Sequence, residues 1–546
     1  MRFRSIMPAA SRGICFASSV LLSATVLAAM PARAGQGYSV AEKSIATLDA
    51  DMAAGRVTSE QLVRAYLARI AAIDQSGPTL HSIIALNAHA LDDARKLDAE
   101  RHGGHVRGPL HGIPLLVKDN IETGEGMATT AGSLALKDNF AANDAPVVRR
   151  LKDAGAVILG KTNLSEWANI RSNHSISGWS AVGGLVRNPY VLDRSACGSS
   201  SGTGAAIAAS LATAGVGTET DGSVTCPSAL AALVGLKPTV GLVSRARVVP
   251  ISHSQDTPGP MARSVEDAAM LLTAMAGKDA SDPATNDADR HAHDYAKALD
   301  GAALHGKRLG VLSFTTGLSP ADDAVFVAAV KVLRAQGAVI VELKAYKPPA
   351  GLGDEELVVL TSELKADLNA YLASTPRSVK TRMLADVIAF DRTSPRELAL
   401  FGQELFEKAQ ATKGLRDPTY LHARAASLRQ AGADGIDNLI SDNKLDALIA
   451  PSYTPAPRID VVTGDTITGN SSSLPAIAGY PHLTVPMGQV SGLPVGLSFI
   501  GPAWSDDRLL ALGYAFQQAA HARKSPQFIP SLEATSSVEE AANPTR

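Results

Sequence analysis

Lys118, Ser199 and Ser223 are the side chains whose types and surroundings could do nucleophilic chemistry in this chain of 546 residues. Lys118 ends the apolar run GIPLLVK, so its amine is expected at the interior end of a buried strand. Burial disfavours the charged ammonium, and only a neutral amine can accept a proton. Ser199 stands in the serine-rich turn CGSSSG, Cys197 to Gly202, and Ser223 ends a second turn, Thr220-Asp221-Gly222-Ser223, 24 residues later. Consecutive backbone N–H groups beside a hydroxyl are what stabilises an oxyanion in acyl transfer. A serine pair with a buried lysine therefore suggests a nucleophile and a base. Each feature alone has a blander reading: a lysine that solubilises a strand end, a serine that caps a helix, an ordinary turn before a helix begun at Pro227.

The segment between the serines decides whether they meet. Gly202 to Ala212 is a small, helix-permissive run that would advance about 17 Å as a helix. Thr213 to Thr218 could return a similar distance as a strand, at about 3.3 Å per residue. This helix-out, strand-back unit would bring Ser223 close to Ser199, and Cys226 near Cys197, with bridging of the two thiols left open. If the strand carrying Lys118 continues, alternation sends Asp119 to the opposite side.

The surrounding chain supplies a scaffold for such a unit. Thr58-Ser59-Glu60-Gln61 reads as a capping box ahead of Leu62, Ala65, Tyr66, Ile70 and Ile73 at helical spacing. SIIALN, AVILG, RLGVLSF, VIVEL, LDALIAPS and HLTVPMG read as strands, separated by helical stretches that include about 321–336 and a mainly helical part over about 355–440. Strands alternating with helices predict one large α/β domain, with a mixed, mostly parallel sheet covered by helices on both faces. Residues 279 to 300 read as polar loop.

Two short motifs point elsewhere. GAVILGKT, Gly155 to Thr162, satisfies a phosphate-loop pattern, but its variable positions are the apolar strand itself, where an open loop of N–H groups is required. GSSSG fits a nucleophile elbow centred on Ser200, with His253 or His482 as partner, yet LDRSAC before it is too polar for the buried strand such an elbow follows. The pairs His102/His105 and His291/His293 lack metal-site spacing and read as solvated loop histidines, so neither a metal nor another cofactor is expected.

Residues 1–34 carry Arg2, Arg4 and Arg12, an uncharged run from Gly13 to Met30, and Ala32-Arg33-Ala34, the pattern of a secretory signal cleaved after Ala34. The expected product is exported, to the periplasm or the medium, with no stable membrane association. Cleavage removes four arginines and no acid, taking the net charge from −2 to −6, which argues against nucleic acid as a partner. The catalytic domain is expected over 35–530 and a disordered tail over 531–546.

GIPLLVKDN, GKTNLSEWAN, CGSSSGTGAAIAAS, GTETDGS, VGLKPTVGLVSR, SQDTPGPMARSVEDA and AIAGYPHLTVPMG together resemble the amidase signature family over nearly all of the mature chain. SISGWSAVGGLVRNPY (Ser175 to Tyr190), CGSSSG and TETDGS most resemble bacterial members that remove the C-terminal amide of peptides. The resemblance implies a Ser-Ser-Lys triad: Ser223 as nucleophile, Ser199 as the bridge, with a cis peptide, and Lys118 as the ultimate base. It implies an oxyanion hole from the N–H groups of Thr220, Asp221, Gly222 and Ser223, and no metal or cofactor. Many members carry glycine where Asp221 stands and an arginine shortly after the nucleophile, where this chain has Val224-Thr225-Cys226. A carboxylate without that arginine disfavours small anionic substrates. Amidases of aryl, alkyl or fatty-acyl amides are the enzymatic alternative; a transfer-RNA amidotransferase subunit fits poorly with export. An exported binding protein without catalysis is the alternative of another class, but no triad member is missing.

Overall fold

The computed structural model of the chain describes residues 38–467 and 469–534. Its strands are β1 (Ile83–Leu86), β2 (Pro114–Lys118), β3 (Val157–Thr162), β4 (Trp179–Ser180), β5 (Gly184–Leu185), β6 (Ala214–Glu219), β7 (Val234–Lys237), β8 (Thr257–Ala262), β9 (Arg308–Val311), β10 (Val339–Glu342), β11 (Ala447–Pro451), β12 (His482–Val490) and β13 (Leu493–Ile500). Eleven form one sheet in the order β1-β3-β2-β6-β8-β7-β12-β13-β11-β9-β10, and β4 and β5 form a separate ribbon. The sheet is mixed: β2 runs parallel to β3 and β6, and β9 to β10 and β11, while the remaining neighbours are antiparallel.

Every residue of β2, β3, β6, β8 and β11 is buried, as expected of strands covered on both sides. Alternation along β12 shows the two covers. A Cβ on Gly513, in the helix Asp506–Ala520, would meet Leu483 and Val485. Thr484 turns to the other face, where it meets Ser452 and adjoins Ala229 of the helix Thr225–Leu230. The stretch GAVILGKT contains β3, and Lys161 in it faces Asp119, so it makes no phosphate loop.

The expected helical part comprises Leu352–Ser374, Leu384–Thr393, Glu404–Ala411, Pro418–Ala431 and Asn438–Asn443. The first three pack Leu364, Leu368, Val387 and Phe406 against Trp167, Val249 and Ile251, closing a helical layer over the loops that follow β3 and β7. Thr58 forms the anticipated capping box at Ser59–Arg69. Residues 279–300 hold two 3-10 helices, Pro283–Arg290 and Tyr295–Ala298. The described residues from Tyr38 to Ala534 form one compact unit. The secretory signal of residues 1–34 lies outside the described residues. Of the expected tail, Ser531 and the 3-10 turn Leu532–Ala534 are described, and residues 535–546 lie outside the described residues.

Candidate active site

Lys118 is the last residue of β2 and fully buried. Its Nζ donates to Ser199 Oγ at 2.8 Å, to Thr218 Oγ1 at 2.9 Å and to the Thr218 carbonyl at 3.2 Å. Burial brings its pKa down to about 7, against the opposing pull of Asp256 and Glu219. Asp119 does turn the other way: it pairs with the buried Lys161 at 3.2 Å and accepts from the Thr130 N–H. Thr218, which holds the amine from two sides, lies in the strand whose pattern gave no hint of that task. Asn120 donates to the same Thr218 hydroxyl at 2.9 Å.

The helix-out, strand-back unit exists as the helix Ser201–Ala208 followed by β6. It closes through a hydrogen bond from the Ser200 N–H to the Ser223 carbonyl at 3.1 Å, which sets the two serine turns side by side. The Gly198–Ser199 peptide is cis. A disulfide joins Cys197 to Cys226, so the turn arms are also tied covalently. Ser199 is fully buried, whereas Ser223 is 7% exposed and its hydroxyl has no hydrogen-bond partner among the described residues. Ser200 does not act as an elbow nucleophile here. It is buried, donates to the Thr218 carbonyl at 3.1 Å and accepts from the Thr218 N–H at 3.2 Å, so its hydroxyl is committed to the backbone of β6. His253 instead pairs with Asp367, and His482 with Ser498.

The turn Thr220–Ser223 is held from four directions, mostly by residues with no local sequence signal. Glu219, buried at the end of β6, accepts from the N–H groups of Val224 at 2.8 Å and Thr225 at 2.9 Å, pinning the chain on both sides of the turn. Thr220 Oγ1 donates to Asp256 at 2.6 Å. The Asp221 carboxylate accepts from the hydroxyls of Ser472 and, at 2.8 Å, Ser473. Gly222 has φ +79°, and a Cβ there would lie 2.5 Å from the Tyr453 hydroxyl. So braced, the turn leaves the N–H groups of Asp221, Gly222 and Ser223 without an acceptor among the described residues. Unpaired N–H groups beside a free hydroxyl can receive the oxygen of a carbonyl under attack.

A cavity of about 360 Å³ adjoins this turn. Asn120, Ala168, Thr220 and Thr218, the last a partner of Lys118, line it, Val248 to Ile251 give it an apolar wall, and Arg245, His253, Asp282 and Asp367 stand in its polar part. Among the described residues, His253, Glu363 and Asp367 are the one group with ligand atoms close enough for a metal ion. Glu363 is already taken by donors from Ser252, Ser254 and Tyr420, and the His253 ring by Asp367, so the set does not fit a metal centre.

A family profile described as "Amidase" matches residues 61–510. Among solved structures, the native peptide amidase from Stenotrophomonas maltophilia is 51% identical with a TM-score of 0.85, covering 89% of this chain and 99% of that one. A structure of the peptide amidase PAM with the competitive inhibitor chymostatin is 52% identical with a TM-score of 0.86, covering 90% and 100%. A relative from Arabidopsis thaliana described as "Probable amidase" is 39% identical over 524 residues, 94% of this chain and 96% of its own.

Proposed function

The chain belongs to the amidase family, and on that premise we propose that it hydrolyses the C-terminal amide of peptides, releasing ammonia, with Ser223, Ser199 and Lys118 as its catalytic triad. The observation that carries this reading is the 2.8 Å contact between Lys118 Nζ and Ser199 Oγ, beside a turn that keeps the Ser223 hydroxyl and three N–H groups free.

In this reaction the Ser223 hydroxyl attacks the amide carbonyl and its proton passes through Ser199 to the neutral Lys118 amine. The carbonyl oxygen becomes an oxyanion against the N–H groups of the Thr220–Ser223 turn. The relay then returns the proton to the nitrogen, the C–N bond breaks and ammonia leaves an acyl-enzyme. Water attacks that ester, gives its proton to the same relay, and releases the carboxylate and Ser223. The Ser223 hydroxyl, unpaired in the free protein, engages Ser199 in this reading when substrate fills the site, since catalytic hydrogen bonds commonly form only in the complex.

The likeness to peptide amidases supports a peptide substrate, as does a cavity of about 360 Å³ with both an apolar wall and polar groups. Export to the periplasm or the medium belongs to the same proposal, because a buried disulfide between Cys197 and Cys226 suits an oxidising compartment. Ammonia release from amidated peptides, free amino-acid amides and simple aryl amides tests the substrate class. Cleavage of the simple amides alone would reject the peptide reading in favour of an aryl, alkyl or fatty-acyl amidase. Ser223→Ala is expected to lower kcat by about 10⁴-fold or more, and retained activity would move the nucleophile elsewhere.

A further inference from the structure

The oxyanion turn is tied to a side chain well outside the triad. Glu356, on the helix Leu352–Ser374, is buried with its carboxyl close enough to that of Asp221 for each to shift the other's titration. Two carboxyl groups buried side by side lower their mutual repulsion by sharing a hydrogen bond, which requires that one of them carry a proton. Asp221 also accepts from Ser472 and Ser473, which favours its charged form and leaves the proton on Glu356. The other Glu356 contact is with Gln255, whose Nε2 donates to Glu356 Oε1 at 2.8 Å and to the Thr220 carbonyl at 3.4 Å.

That second contact fixes a direction. The Thr220–Asp221 peptide is trans, since Gly198–Ser199 is the only cis bond found among the described residues. In a planar trans peptide the C=O and N–H point oppositely. Gln255, by holding the Thr220 carbonyl on one side, aims the Asp221 N–H at the other. Asp221, held through its side chain, stops the peptide from rolling.

We propose that Glu356 is a positioning residue: through Gln255 and Asp221 it keeps the Asp221 N–H turned toward the reacting carbonyl, and it does so only while its own carboxyl is protonated. The inference rests on the reading of Thr220–Ser223 as the oxyanion turn. Ionisation of Glu356 sets two anions against each other at the base of that turn, breaking the bond to Asp221. Burial and the neighbouring Asp221 raise the Glu356 pKa to about 8. The other charged or titratable groups facing the pair are Lys237 from β7, Glu219 from β6 and Tyr453 beyond β11. Lys237, buried and lowered to about 8, is the rival source of a transition in that range.

The test is kcat and KM from pH 6 to 10 for the full chain, Glu356→Gln, Glu356→Ala and Gln255→Ala, with thermal melts to establish folding. Wild type is expected to lose kcat above pH about 8. Glutamine reproduces the protonated acid, donating to Asp221 and accepting from Gln255, so Glu356→Gln should keep neutral-pH kcat within about 3-fold and lose the alkaline decline. Glu356→Ala and Gln255→Ala should lower kcat by about tenfold or more, with KM nearly unchanged, a part of the 10²–10³ that an oxyanion donor contributes. An alkaline decline that persists in Glu356→Gln, or is absent from wild type, overturns the proposal; so does unchanged kcat in both alanine variants. Activity surviving in Ser223→Ala would instead overturn the triad reading beneath it.

Discussion

A lysine that must accept a proton works only when uncharged, and complete burial out of water draws Lys118 toward the neutral form although its oxygen partners favour the ammonium. With its pKa brought down to about 7, kcat/KM should fall with decreasing pH below about 7, as protonation removes the base. A flat acid limb would remove Lys118 from the relay. The same shift has a signed consequence for stability. The unfolded chain binds this proton up to about pH 10.5, the ordinary lysine value, and the folded chain only up to about 7, so between them the unfolded state holds more protons. This group's contribution to stability must therefore rise with pH across that window and be lost as pH falls through it. Lys118→Met should be inactive yet resist urea better than wild type at pH 7, with the advantage shrinking toward pH 10. Lys118, Ser199 and Ser223 were legible because each sits in a local pattern of residue types. Glu219, Gln255 and Glu356 were not: a glutamate in TETDGS or in DEELVVL looks solvated until the fold buries it, Glu219 against the N–H groups of Val224 and Thr225 and Glu356 against Gln255 far along the chain.

At the scale of elements, the turn from Glu219 to Thr225 is shaped as much by what crowds it as by what bonds it. Gly222 carries a left-handed φ of +79°, and any Cβ would press on the Tyr453 hydroxyl at 2.5 Å and Ser472 Oγ at 3.0 Å. Gly222→Ala should cost about 1–2 kcal/mol in backbone strain and, by displacing the unpaired N–H groups, lower kcat by about tenfold or more, a change in kcat and KM measurements that a distant strain would not produce. Unchanged kcat would mean that the turn does not contact the transition state. The helix and strand joining the serine turns were readable from small residues and apolar pattern, but the helix ends at Ala208, short of Ala212. The cause is tertiary: Ser210 takes φ +55° and its hydroxyl accepts from the Glu42 N–H at 3.0 Å, stopping the helix before β6. Nothing within the run announces that contact.

In the molecule as a whole, the alternation of strands and helices announced an α/β domain, while the strand order came from pairings the sequence does not spell out. The hairpin β12–β13, late in the chain, inserts between β7 and β11, joining the half of the sheet that carries Lys118 to the half built on β9. Lys118 and both serine turns lie in the first half, braced from beyond β11 by Tyr453, Ser472 and Ser473, and within that half the disulfide adds a covalent tie. Cys197 and Cys226 stand 29 residues apart and enclose both serine turns, the helix between them and β6. Closing a loop of that length removes entropy from the unfolded chain worth about 3–4 kcal/mol. Cys197→Ser/Cys226→Ser should therefore lower the urea midpoint and hasten thermal inactivation. The native hydrogen bonds of the unit remain, including Ser200 N–H to the Ser223 carbonyl, so kcat at 25 °C should change by less than about 3-fold. Equal inactivation rates for oxidised wild type and the double variant would show that the covalent tie is redundant with packing; a large loss of kcat in a folded variant would show that it sets the register of the serine turns themselves.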